Sequence, residues 1–181
     1  MLTMKRVEEM MAHSLRNPAN LAERLGLLPT SEQTALMDRF AKDEEPLILA
    51  ETKDGHLVRA AALCALWRLL LVPGSACRVI SSSRKLSREF MGFMYDITTT
   101  IDPVLTSVCK WTGPKVMRLG NDDAYELRQI SNNANWLCDE PQVATTFVIL
   151  GAGSDDDDFM ATRKAVEAHG GVEGVRNIVV W

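Results

Sequence analysis

Short apolar runs alternate with helical segments along this chain, and this alternation restricts the fold more than any other feature of the sequence. Residues 46–50, 76–80 and 143–150 have the length and composition of buried strands. The first two runs are each followed by a segment with helical spacing of apolar residues, at 57–71 and 85–97. Strands joined by helices in this way form right-handed crossovers within a parallel sheet. The sequence therefore predicts an α/β fold with a mostly parallel sheet flanked by helices.

The segment before the first strand is expected to be helical. Residues 3–25 have the spacing of two short amphipathic helices, and Pro18 suits the first turn of the second. Thr30 or Ser31 is expected to cap a further helix. We therefore expect a small N-terminal helical segment, 1–28, before an α/β domain, 29–181. The other predicted elements are a hairpin of strands 116–119 and 125–130, a helix over 157–169 and a last strand over 177–181.

The composition indicates a folded globular protein, since 46% of the residues are apolar and 24% are charged. The net charge of −4 provides no general attraction to nucleic acid or to an anionic membrane. The four cysteines lack metal-ligand spacing, so we expect reduced core thiols. No secretory signal or membrane-spanning run is recognisable, which predicts a cytoplasmic protein with no membrane partner.

The loop between the first strand and its helix lies where a phosphate-binding loop belongs. The Walker A pattern is Gly or Ala, four residues, Gly-Lys, and then Ser or Thr. Ala50 and Gly55 have this spacing, but His56 is at the lysine position and Leu57 is at the hydroxyl position. The lysine neutralises the phosphates and the hydroxyl binds magnesium. We therefore predict a degenerate nucleotide site at this loop.

The sequence around this loop resembles the ATPase region of the large subunit of phage terminases, over about residues 17–94. The resemblance rests on four short motifs: Pro-Thr-Ser-Glu-Gln at 29–33, Ala-Leu-Trp at 65–67, Pro-Gly at 73–74 and the serines at 81–83. It implies a P-loop NTPase fold in which Gln33 would contact adenine. A chain of 181 residues is expected to lack the nuclease domain of that family.

The resemblance also implies a Walker B site, in which four apolar residues precede Asp-Glu. The aspartate would hold magnesium and the glutamate would activate water. Here the apolar residues 147–150 are followed by Gly151 and an alanine. Asp139 and Glu140 form an alternative pair, although only three apolar residues precede them. Asp155 begins a run of four aspartates that could reach a cation, but such runs more commonly begin a solvated helix.

The leading hypothesis from these losses is a catalytically inactive pseudo-ATPase. It would act as a structural or regulatory binding protein, related to phage DNA packaging and located in the host-cell cytoplasm. Its expected partner is a packaging protein or a second copy of the chain. No cofactor is expected, although weak binding of ATP and magnesium stays open.

Two other functions are carried as alternatives. In the first, the chain is an unorthodox ATPase with Lys53 as a displaced P-loop lysine, and with Asp139 and Glu140 as the metal and water residues. In the second, it is a nucleic-acid-binding module. That function would use the basic cluster beside the serine turn: Arg84, Lys85 and Arg88.

Overall fold

The computed structural model describes most of the chain. The described residues are 5, 9, 11–42, 47–49, 56–72, 75–120, 126–130, 146–151, 155–169 and 176–180. The helices are α1 (Pro18–Arg24), α2 (Ser31–Ala41), α3 (His56–Leu71), α4 (Arg84–Asp96), α5 (Pro103–Val108) and α6 (Asp157–His169). The strands are β1 (Leu47–Leu49), β2 (Ala76–Ser81), β3 (Cys109–Trp111), β4 (Val116–Leu119), β5 (Glu126–Gln129), β6 (Thr146–Leu150) and β7 (Arg176–Val180). A 3₁₀ turn, Ser14–Arg16, precedes α1, and a π-helical turn, Ile97–Ile101, follows α4.

The strands form one seven-stranded sheet in the order β1-β7-β6-β2-β5-β4-β3. The first five strands in this order, β1, β7, β6, β2 and β5, pair in parallel. Strand β4 pairs antiparallel with β5 and with β3. Val148 at the centre of β6 faces Val79 on one side and Ile178 on the other. The predicted mostly parallel sheet is confirmed. Because five neighbouring strands share one direction, their carboxyl ends lie at one edge of the sheet.

Helices cover both faces of the sheet. On one face, α3 and α4 share a core with β2, β6 and β7, and residues from the N-terminal helices belong to the same core. On the other face, Phe159 and Val166 of α6 pack with Phe147 and Ile149 of β6. Helix α3 is apolar on nearly all sides, which explains why it is buried between the sheet and other helices.

The N-terminal helices begin where their capping residues predict. The Asn17 side chain accepts a hydrogen bond from the Ala19 amide at 2.7 Å, and Pro18 is in the first turn of α1. Thr30 caps α2 and forms a capping box with Gln33. The indole of Trp67 in α3 donates to the Leu15 carbonyl at 2.9 Å, which ties the N-terminal segment to the core.

The hairpin of β4 and β5 is confirmed, but two neighbouring elements escaped prediction. Helix α5 begins at Pro103, where Asp102 accepts hydrogen bonds from two backbone amides. Strand β3 follows it directly and pairs with β4. Strand β3 has only three residues, and its central Lys110 is exposed, so it lacks the apolar run that identified the other strands.

The predicted thiols are confirmed for Cys64, Cys77 and Cys109, which are free and buried. Burial raises the pKa of Cys77 to about 12, although the neighbouring Arg78 guanidinium partly opposes this shift. Cys138 lies outside the described residues. Within the described part of the chain, no helix is long and apolar enough to cross a membrane.

A buried ionic cluster joins β2, β4 and β5. Glu126 is 5% exposed, and its carboxylate lies 3.3 Å from the Arg78 guanidinium and 3.2 Å from Nε of Arg118. Nη2 of Arg128 donates to the same carboxylate at 3.1 Å. One buried carboxylate is therefore shared by three arginines, and its removal would break a buried charged contact with each of them.

We expect Glu126→Gln to lower the free energy of unfolding by about 3–5 kcal/mol, because the amide keeps the shape and removes the charge. Urea unfolding followed by circular dichroism measures this change. Glu23→Gln is the matched control, since Glu23 is exposed and the same change there should stay within about 0.5 kcal/mol. Equal effects of the two substitutions would contradict a structural role for the cluster.

Candidate functional site

The candidate site lies at the carboxyl edge of the sheet, where β1, β7, β6 and β2 end side by side. Open α/β sheets bind their ligands at this edge. Strands β1 and β6, after which the Walker A and Walker B residues are predicted, both end at this edge. Ala50, Lys53 and Gly55 lie outside the described residues. Their predicted roles therefore stay predictions.

The first turn of α3 contributes to the core. His56 is the first residue of the helix, one residue earlier than predicted. Leu57 is 4% exposed, and Val58 beside it is also buried. The side chain at the expected magnesium position is thus an apolar group that packs inside the protein, and it offers no oxygen to a metal.

The end of β6 is held between the ends of its two neighbouring strands. The Gly151 amide donates to the Val180 carbonyl at 2.8 Å, and the Ser82 amide donates to the Leu150 carbonyl at 3.0 Å. The Ser82 hydroxyl also donates to the Gly151 carbonyl at 2.9 Å. Backbone and hydroxyl groups therefore fill the place that follows the apolar strand.

Gly151 has a conformation and a packing environment that disfavour any side chain. Its φ of +74° lies in the left-handed region, which costs about 1–2 kcal/mol for an ordinary residue. A Cβ at this position would lie 2.1 Å from the Ser82 Oγ and 3.1 Å from Cδ1 of Leu86. The expected Walker B aspartate would have to begin here. An aspartate tolerates a positive φ better than most residues, but its Cβ would displace the Ser82 hydroxyl and crowd Leu86.

We expect Gly151→Ala to destabilise the protein by about 1–3 kcal/mol more than Gly120→Ala, because of overpacking against Ser82. The two glycines have similar φ values, +74° and +66°, but a Cβ at Gly120 meets nothing within 4 Å. The comparison thus separates steric contact from backbone strain. Urea unfolding measures both variants, and Ser82→Ala should recover part of the loss at Gly151. Equal losses at the two glycines would mean that Ser82 exerts no steric restraint.

Gln33 lies beside a small cavity rather than at the sheet edge itself. The cavity has a volume of about 200 Å³ and lies between the α1–α2 connection, α3 and α4. Besides Gln33, it is lined by Leu28, Arg59 and Phe93, and the Arg59 guanidinium lies 5.7 Å from the Phe93 ring centre. Pockets for whole drug-sized ligands commonly measure about 300–1,000 Å³. This cavity therefore suits a single ring better than a complete nucleotide.

The Gln33 side chain also has a structural role. Its Oε1 accepts a hydrogen bond from the Thr30 amide at 2.8 Å, which completes the capping box of α2. A contact with adenine would have to coexist with that bond. The assignment of Gln33 to adenine stays a prediction.

The predicted basic cluster is only partly contained in one groove, and its role stays a prediction. Arg84, Lys85 and Arg88 are all exposed on the first turns of α4. Arg84 and Arg88 line a groove of about 900 Å³, whereas Lys85 is outside its lining. The groove could not be recognised from the basic cluster alone, since its opposite wall is the turn between β3 and β4. The adjacent Gly113 and Pro114 are typical turn residues and could have indicated that turn.

The acidic candidates differ in what the structure describes. Asp155 is exposed before α6, and the neighbouring Asp156 carboxylate accepts the Phe159 amide at 2.8 Å. This aspartate run thus caps a helix. Asp139 and Glu140 lie outside the described residues. Across the described ranges, no group of three histidine, cysteine or acidic residues is arranged to hold a metal ion.

The strand order and the helices on both faces define an α/β protein with a mostly parallel sheet. Its fold is similar to that of the HK97 bacteriophage large terminase, with a TM-score of 0.62 and 13% sequence identity. The match covers 85% of this chain and 33% of that chain, so this chain spans about a third of the terminase structure. The predicted resemblance is confirmed for the fold. Comparison with models of protein families and with curated proteins gave no match.

Proposed function

We propose that this chain is a terminase-like protein that does not hydrolyse ATP and acts by binding. The observation that carries the proposal is Gly151, whose positive φ and contact with Ser82 disfavour a carboxylate directly after the apolar strand. An ATPase needs such a carboxylate to hold magnesium and a second one to activate water. A protein that has this fold but lacks that carboxylate is compatible with a binding role.

The Walker A positions support the same proposal. A histidine stands at position 56, and an imidazole is a poorer source of positive charge than the lysine ammonium that neutralises phosphate in Walker A. The Leu57 side chain is buried in the core. Phosphoryl transfer depends almost entirely on positioning and charge stabilisation. Loss of the lysine, the hydroxyl and the Walker B carboxylates together would therefore remove most of the catalytic contribution.

The biological setting that we propose is a phage DNA-packaging complex or an associated assembly. The support for it is the fold similarity to the HK97 large terminase. The chain would serve there as a structural or regulatory subunit, bound to a packaging protein or to a second copy of itself. Weak nucleotide binding is compatible with this role, because the cavity beside Gln33 could accept a ring without supporting hydrolysis.

Calorimetry with ATP and magnesium, followed by a phosphate-release assay on the same sample, tests the loss of hydrolysis. We expect no phosphate release above the buffer rate. Magnesium-dependent release that Lys53→Ala abolishes would overturn the proposal and favour the unorthodox ATPase with Asp139 and Glu140. Lys42→Ala is the matched control, since it removes the same charge at the exposed end of α2.

The binding role has a separate test. Sedimentation velocity over a range of concentrations measures self-association, and affinity capture from phage-infected cells with mass spectrometry identifies packaging proteins. We expect either a concentration-dependent oligomer or a stoichiometric complex with a packaging protein. A chain that stays monomeric and captures no packaging protein would contradict the proposed role, whatever the outcome of the ATP assay.

A further inference from the structure

The groove beside α4 is built from two walls at the carboxyl edge of the sheet. One wall is the outer side of α4, with Arg84, Arg88 and Tyr95 spaced along it, and the other is the turn that connects β3 to β4. The end of β5 lies between them, where the Gln129 amide donates to the Lys115 carbonyl at 2.9 Å. The volume of about 900 Å³ is within the range of ligand sites.

The charges in this groove favour an anion. Arg84 and Arg88 on α4 and Lys115 on the opposite turn all line it, and none forms an ion pair within the described part of the chain. Asp96 is the acidic residue in the lining. Three cations therefore face one carboxylate. This local excess of positive charge contrasts with the net charge of −4 for the whole chain.

Two aromatic rings stand at the other end of the groove. Tyr95 is 50% exposed, and its ring centre lies 5.4 Å from that of Trp111 in an edge-to-face arrangement. The Trp111 indole donates to the Thr98 hydroxyl at 3.0 Å, which fixes its orientation. Tyr95 is therefore half exposed and packs edge-to-face against a tryptophan whose orientation is fixed. Such a ring is a platform on which a planar group can stack.

We propose that this groove binds single-stranded nucleic acid, with the phosphates at Arg84, Arg88 and Lys115 and a base stacked on Tyr95. Cations along a backbone track combined with exposed aromatic rings are what sequence-tolerant single-strand binding requires. A duplex offers no free base face to Tyr95, since its bases are already stacked on one another. An acidic peptide would match the cations but would leave the aromatic end unused.

The length of the groove fits this ligand. Arg84 and Tyr95 are eleven positions apart on α4, which corresponds to about 16 Å along the helix axis. A stacked strand rises about 3.4 Å per nucleotide in duplex DNA, and an unstacked strand is longer per nucleotide, so that distance covers at most about five nucleotides. This is at the lower end of the site sizes of about 4–16 nucleotides known for single-strand-binding folds. A short single strand therefore suffices to test the proposal.

The first test is fluorescence anisotropy with a labelled ten-nucleotide oligothymidine at several salt concentrations. Three phosphate contacts predict a slope of about −2 for the logarithm of affinity against that of salt concentration. Arg88→Ala should make this slope shallower by about 0.7. Lys164→Ala, which removes an exposed charge from α6 on the opposite face of the sheet, should leave it unchanged.

Gly92 provides a second test that does not depend on removing any contact. It lines the groove from within α4, and a Cβ there meets nothing within 4 Å. Gly92→Glu should abolish binding by placing a negative charge in the groove. Gly92→Ala should keep binding and raise the melting temperature, since alanine favours a helix. Thermal unfolding of both variants verifies that each is folded.

Tyr95 tests the stacking part of the proposal. Tyr95→Phe keeps the ring and should bind within about twofold of the unsubstituted chain, whereas Tyr95→Ala should weaken binding by about 5- to 150-fold. Equal binding of a duplex of the same length would overturn the proposal. So would no binding at low salt, equal effects of Gly92→Glu and Gly92→Ala, or competition by polyglutamate at the same charge concentration.

Discussion

The junction of β2, β6 and β7 at Gly151 is the constraint on which the carboxyl edge of the sheet depends. Gly151 donates its amide to β7, while Ser82 at the end of β2 bonds to both carbonyls around the end of β6. These bonds hold three parallel strands in register at the place where their loops diverge. They also disfavour a side chain at this point, because the Ser82 hydroxyl that makes these bonds occupies the space that a Cβ would need. Hydrogen bonds between strand ends therefore occupy the position where the Walker B aspartate is expected.

The helix that follows the degenerate loop has a similar character. The side chains of α3 are small or apolar on nearly every side of the helix, and Leu57 and Val58 in its first turn already belong to the core. This packing lets the helix lie close against β2, β6 and β7 while α2 and α4 pack on its other sides. A phosphate-binding loop needs the first turn of such a helix to present polar groups outward. The Leu57 side chain in the first turn of α3 packs in the core and offers no polar atom to a phosphate or a metal.

The strands and helices that could be predicted from the sequence are those with strong local signals. Pro18 and Thr30 mark helix starts that the structure confirms, and the apolar runs at β2 and β6 are long enough to identify. Strand β3 could not be predicted, since three residues around an exposed lysine show no periodicity. The positive φ of Gly151 and its contact with Ser82 join positions about 70 residues apart. A local sequence pattern does not indicate packing between positions so far apart in the chain.

The sequence indicated only the α4 wall of the groove, for the same reason. Arg84 and Arg88 are near one another in the chain, but Lys115 and Trp111 reach the groove through the β3–β4 turn. The overall charge also obscured it, because −4 suggests no affinity for nucleic acid. Yet charges beyond about 8–10 Å are largely screened at ordinary ionic strength, so a ligand in the groove responds mainly to its walls. The net negative charge of the chain would weaken non-specific contacts and so favour binding of a single strand in this groove.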